Sequence, residues 1–113
     1  MKDKNFTSSA LKVIEIESKA VQSLANQIQP DFEDLCLSIL NTKGKLILMG
    51  IGKSGHIAQK ISATLSSTGT SSFFIHPTEA AHGDLGMISK EDSILILSNS
   101  GETKEIIDIL AAL

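Results

Sequence analysis

Apolar positions along the chain switch from helical spacing to near-continuous runs and back. From about Ser9 to Ile28, the residues Leu11, Ile14, Val21, Leu24, Ala25 and Ile28 fall near one helical face. Pro30 interrupts that pattern. Phe32, Leu35, Cys36, Ile39 and Leu40 then follow at i, i+3, i+4, i+7 and i+8, an amphipathic stripe. Asp31 suits the N-cap, Asp34 the first turn, and Gly44 the stop after the helix. Lys45–Met49 is almost wholly apolar, as expected of a strand covered on both faces. Ile57, Ala58, Ile61 and Leu65 predict a helix that stops near Gly69. Ser72–Ile75 reads as a second strand, ended by His76-Pro77, and Ser93–Leu97 as a third. Ile106, Ile107, Ile109, Leu110 and Leu113 begin one more helix. There are no internal repeats and no low-complexity segment.

Strands alternating with helices predict an α/β fold, a flavodoxin-like parallel sheet with helical crossovers. A helical segment over 1–44 precedes the α/β part at 45–113. In the strand order 2-1-3, a crevice opens at the carboxyl ends of the first and third strands. Two similar loops follow those same strands. Gly50-Ile51-Gly52-Lys53-Ser54-Gly55 comes after the first, and Ser98-Asn99-Ser100-Gly101-Glu102-Thr103 after the third. Each starts a helix, whose free N–H groups and positive dipole end suit an anion. Ser98, Ser100 and Thr103 add three hydroxyls, and Gly101 allows close backbone approach. Taken alone, the second loop could be a plain helix cap. The matching first loop and the shared crevice favour a site for a phosphorylated ligand.

Composition narrows the partners. The chain has 113 residues, no Trp or Tyr and four Phe, so its core is aliphatic and base stacking has few candidates. Its net charge of −3 includes no basic cluster, which argues against nucleic acid or an anionic membrane as partner. A single cysteine, Cys36, forms no internal disulfide and reads as a buried small hydrophobe. The Met1–Asn5 start leads into no apolar signal segment, and no run reaches membrane-spanning length. A soluble cytoplasmic protein is the expectation.

The first loop satisfies G-x-G-x-x-G literally, but the second strand ends in Ile75-His76-Pro77, not in the acidic residue a dinucleotide ribose requires. Gly52-Lys53-Ser54 matches the end of a nucleotide-binding P-loop, yet Ile47 stands where its first glycine belongs. Neither motif carries the chemistry of its namesake here.

Five blocks, in order, carry a family resemblance: Gly52-Lys53-Ser54-Gly55, Ser67-Thr68-Gly69-Thr70, His76-Pro77-Thr78-Glu79-Ala80, His82-Gly83-Asp84-Leu85-Gly86-Met87 and Ser98–Thr103. Together they resemble a sugar isomerase (SIS) domain, and within it the arabinose-5-phosphate isomerases of the KdsD/KpsF group. The resemblance implies an aldose–ketose isomerase that interconverts D-ribulose 5-phosphate and D-arabinose 5-phosphate, a source of Kdo for lipopolysaccharide or capsule. Such chemistry moves a proton between C1 and C2 through an enediolate. It needs a base, a proton relay and an oxyanion stabiliser. It requires no redox cofactor.

The resemblance assigns catalytic roles to Lys53 and Glu105, and His82 is a candidate proton relay. Substrate binding falls to Gly52, Ser54, Gly69, Thr70, His76, Ser98, Asn99, Ser100, Gly101 and Thr103. His76 is also the metal candidate, with zinc an optional or inhibitory ligand and not a catalytic one. Each role has a plainer alternative. Glu105 could be an exposed helix-start carboxylate, Lys53 a simple phosphate contact, and His82 a structural partner of Asp84.

The resemblance also implies a homo-oligomer, by analogy a tetramer, for which the Leu11–Ile28 helix is a candidate contact. Length departs from the family. Three strands stand where a flavodoxin-like sheet normally has five, so the domain reads as truncated after the third. A further catalytic Glu and His, and tandem CBS domains, are expected beyond Leu113. The chain alone is therefore expected to be marginally stable and inactive, as part of a longer isomerase. Two other functions remain open: a non-catalytic phosphosugar-sensing domain, and an isomerase of a hexulose phosphate.

Overall fold

A computed structural model describes residues 5–113, with the side chain of Asp84 excepted. Of the Met1–Asn5 start, only Asn5 is among the described residues. The chain falls into two compact units that divide between Leu35 and Cys36.

The first unit is helical. Helix α1 spans Phe6–Ser23 and continues as a 3-10 turn over Leu24–Gln27. Asn5 caps it by accepting a hydrogen bond from Ser8 N–H at 2.8 Å. Helix α2, Pro30–Leu40, crosses the unit boundary. Pro30 is its first residue, where the missing N–H costs nothing. Asp31 is therefore in the first turn and does not serve as N-cap.

The second unit holds a parallel sheet with strands β1 (Leu46–Gly50), β2 (Ser72–Phe74) and β3 (Ser93–Leu97) in the order β2-β1-β3. Leu46 pairs with Ser72 on one side and Ser93 on the other. This is the 2-1-3 order expected from the sequence. Helix α3 (Lys53–Ser67) connects β1 to β2. It ends on Gly69, whose φ of +103° allows Thr70 N–H to reach back to Leu65 C=O at 2.9 Å. Between β2 and β3 lie the short helix α4 (Pro77–Ala81) and a 3-10 turn at Asp84–Met87, and helix α5 (Lys104–Ala112) follows β3.

All five residues of β1 are buried, and alternate side chains enter different clusters. Leu46 and Leu48 pack with Ala58 of α3, flanked by Ile61, Leu65, Phe74, Leu95 and Leu97. Ile47 and Met49 pack with Ile75, Ala80 of α4 and Ile109 of α5. The two crossovers thus cover opposite faces of the sheet, the arrangement that opens the crevice between β1 and β3. Cys36 is half-buried, less enclosed than the apolar pattern suggested.

The amino ends of β1 and β3 are joined through Asp92. Its carboxylate accepts Lys45 N–H at 2.7 Å and Ser89 N–H at 2.8 Å, while Glu91 C=O accepts Gly44 N–H at 2.8 Å. Thr42 donates its hydroxyl to Ser38 C=O, so Ser93 supplies the proton of the 2.6 Å Thr42–Ser93 hydroxyl pair. Gly44 is required here and not as a helix stop. A Cβ at Gly44 would collide with the Asp92 carboxylate and lie 2.9 Å from the Glu91 backbone.

The carboxyl end of β1 meets the start of α3 backbone to backbone. A Cβ on Gly55 would lie 2.6 Å from Gly50 C=O, and one on Gly50 would lie 2.8 Å from Ser54 C=O. Gly55→Ala is expected to lose about 1–3 kcal/mol of stability, the cost of forcing extra volume into a packed site, measurable by urea unfolding.

The N–H groups of Lys45 and then Ser89 hold the Asp92 carboxyl below its usual 3.8. Because the folded value is lowered, this contribution to stability is complete above the ordinary carboxylate value. It is lost as pH falls through the lower folded value. Melting temperature followed against pH should therefore show a shallower acid limb for Asp92→Asn than for wild type, and a lower plateau at neutral pH. Parallel acid limbs would contradict this account.

Candidate functional site

A cleft of about 250 Å³ lies at the carboxyl ends of β1 and β3. Its lining combines Ile51 and Ser54 from the first loop with Leu97, Ser98, Asn99, Ser100, Thr103 and Ile106 from the second. Topology and loop composition pointed to this crevice separately, and the structure joins the two loops there.

Gly52 shapes the first loop, with φ +60° and ψ −128°, a conformation that β-carbon-bearing residues rarely adopt. It stands at the N-cap of α3, where it has no side chain to supply a cap. Thr103 is the N-cap of α5, and its hydroxyl makes no cap hydrogen bond either. Asn5 and His76, by contrast, cap α1 and α4 with their side chains. Both helices that start at the cleft thus leave their N-terminal N–H groups without an N-cap side chain, the condition for holding an anion.

In the second loop, Ser98 Oγ accepts Gly101 N–H at 2.9 Å and Ser100 Oγ accepts Glu102 N–H at 3.1 Å. Each hydroxyl keeps its own proton to donate outward. Gly101 adopts φ +70°, so its freedom makes the turn, and its N–H is engaged by Ser98.

The remaining sequence candidates are placed unevenly. Lys53 is the first residue of α3 and Glu105 lies in the first turn of α5. Both are exposed and flank the cleft without lining it. His82 closes α4 as its C-cap and is exposed, outside the cleft lining. Its suggested partner, the Asp84 side chain, lies outside the described part of the structure. Gly69 and Thr70 precede β2 and line a different hollow of about 350 Å³, with Thr42, Gly44, Leu46 and Ser71. That hollow is at the amino end of the sheet, so within one chain these two residues are not brought to the crevice. Their position follows from topology, since a residue entering a parallel strand lies at the opposite end from one leaving it.

His76 caps α4, its Nδ1 accepting Thr78 N–H at 3.1 Å. That leaves Nε2 as the one ring nitrogen open to a ligand. Among the described residues, no three His, Cys, Asp or Glu side chains converge as ligands for a metal ion.

Sequence reasoning did not single out Ile51, Leu97 and Ile106, the apolar part of the cleft. Their signal was their position, each within three residues of a loop residue that was chosen. Among the described residues no helix is long and apolar enough to cross a membrane.

Comparison with known proteins places these features in a family. Residues 39–113 match the SIS domain model. The arabinose 5-phosphate isomerase KdsD of Pseudomonas aeruginosa is 53% identical over 106 residues, which cover 94% of this chain and 32% of that protein. Its namesake in Escherichia coli K12 is 45% identical over 109 residues, covering 96% of this chain and 33% of the relative. The chain thus spans about a third of the length of these curated relatives. A protein of E. coli CFT073, solved in complex with arabinose 5-phosphate, superposes with a TM-score of 0.82 at 40% identity, over 96% of this chain and 60% of that one. With the family model matching most of its length and its sheet, crossovers and loops in the expected arrangement, the chain belongs to the SIS domain family.

Proposed function

We propose that this chain is the phosphosugar-binding part of an arabinose-5-phosphate isomerase, which interconverts D-ribulose 5-phosphate and D-arabinose 5-phosphate. The observation that carries the reading is the cleft. Hydroxyls of Ser54, Ser98, Ser100 and Thr103 share it with the starts of two helices that no N-cap side chain closes. Neutral donors and helix dipoles in that arrangement suit a phosphate group. The P. aeruginosa and E. coli relatives carry the isomerase name, and the structural neighbour holds arabinose 5-phosphate, which supports the sugar assignment.

The reaction then proceeds as a proton transfer. A base removes the C2 proton of the open-chain aldose, leaving an enediolate. The O2 proton is moved to O1's side of the conjugated system, and a proton returned to C1 gives the ketose. No electron acceptor is needed, because C1 is reduced as C2 is oxidised within one molecule. Glu105 serves as the base, and Lys53 stabilises the oxyanion from the opposite helix start as a point charge. His82 relays the hydroxyl proton. The product feeds Kdo synthesis, the working protein is a cytoplasmic homo-oligomer, and residues 1–113 alone are inactive. The exposed apolar side chains of α1, among them Leu11, Ile14 and Val21, are consistent with contacts to another subunit.

The test is isomerisation of D-ribulose 5-phosphate by the full-length protein, with phosphosugar binding measured in parallel. Glu105→Gln is expected to retain binding and to lose about 10²–10⁴-fold in turnover, the range for a general base. Ser98→Ala is expected to weaken binding by about ten-fold or more, as for a lost hydrogen bond to a charged group. Wild-type binding with no turnover on pentose or hexulose phosphates would replace the isomerase with a sensor.

A further inference from the structure

The turn His76-Pro77-Thr78 leaves β2 and begins α4, and histidine is outside the group of residues that usually caps helices. Its Nδ1 nevertheless accepts Thr78 N–H at 3.1 Å, and Ala80 N–H reaches His76 C=O at 2.9 Å. A ring nitrogen that accepts a hydrogen bond carries no proton, so the neutral ring holds its proton on Nε2. The ring also stands edge-on to Phe74, with centroids 6.4 Å apart and planes at 78°. It is thus fixed on two sides, by a backbone donor and by an aromatic neighbour.

Helix α4 has only five residues and little hydrogen bonding of its own to sustain it. Its fully buried Ala80 shares a core cluster with Ile75, just before His76, and with Ile109 of α5. Helix α5 begins beside the cleft with Lys104 and Glu105. A loose start to α4 would free Ala80 from Ile109, and α5, whose start borders the cleft, would lose part of its packing. We infer that His76 is a positioning residue, whose Nδ1 holds α4 and, through Ala80 and Ile109, helix α5, whose start borders the cleft. This role is separate from any contact its Nε2 makes with a ligand. The affinity part of the test below rests on the phosphosugar reading; the exchange part does not.

Asparagine and glutamine separate the two nitrogens. The Asn Oδ1 can replace Nδ1 as a cap acceptor but reaches nothing at the Nε2 position. The Gln amide reaches toward Nε2 and is a poor cap. Thr78 amide hydrogen exchange, melting temperature and affinity for arabinose 5-phosphate would be measured on the full chain for wild type, His76→Asn, His76→Gln and His76→Ala. The Asn variant should keep Thr78 protected and melt near wild type. The Gln and Ala variants should lose that protection and melt about 4–8 °C lower, the size expected for a lost cap in a domain of this length. Their affinity should fall about two- to thirty-fold below that of the Asn variant, which keeps the cap. Glutamine behaving as wild type while asparagine behaves as alanine would overturn the inference in favour of Nε2. Exchange following the expected pattern with affinity equal in all four proteins would overturn the link to α5. If wild type itself fails to bind the sugar while exchange follows the pattern, the phosphosugar reading falls and the cap stands.

Discussion

Burial of β1 on both faces and along both edges is the constraint from which the rest of the second unit follows. A strand of Leu46, Ile47, Leu48, Met49 and Gly50 with no exposed side must have helices above and below it. Supplying both layers requires one crossover on each side. Two crossovers on opposite sides place the loops after β1 and β3 next to each other and facing the same way. The cleft is therefore a by-product of burying five residues, before any polar group in it is considered.

The ends of that strand are held by different means. At the amino end, one carboxylate gathers two backbone N–H groups and brings Lys45 and Ser89 together. At the carboxyl end there are no side chains to do this, and Gly50 and Gly55 let two backbones touch. The polar fastening sits away from the cleft, so the cleft end is left with hydroxyls and free N–H groups for a ligand. Chemistry and anchoring occupy opposite ends of the sheet.

Much of this was legible because the residues concerned obey local rules. The run Lys45–Met49 is too apolar for a half-exposed strand, and Gly69 marked the end of α3 through the positive φ it adopts. The strand order followed from the alternation of elements, and the crevice from the strand order. What escaped was set by distant partners. Gly44 looks like a helix stop in sequence, but its size answers to Glu91 and Asp92, far along the chain. Asp31 looks like a cap until Pro30, able to start a helix as well as end one, takes the first position. Helix α4 is too short to show a period. Motif membership, likewise, carried no direction, so Gly69 and Thr70 were grouped with residues that a parallel strand sends to its other end.

The missing caps at Gly52 and Thr103 have a thermodynamic consequence. In the empty protein those helix-start N–H groups depend on water, so an anion that enters the cleft completes the secondary structure as well as binding to it. Occupancy and folding then share the same hydrogen bonds, and the fold becomes more stable as ligand concentration rises. At one hundred times the dissociation constant the gain is about 2.7 kcal/mol, a sizeable fraction of what holds a domain of this length together. An anion held there would then act as a folding cofactor for the unit that binds it.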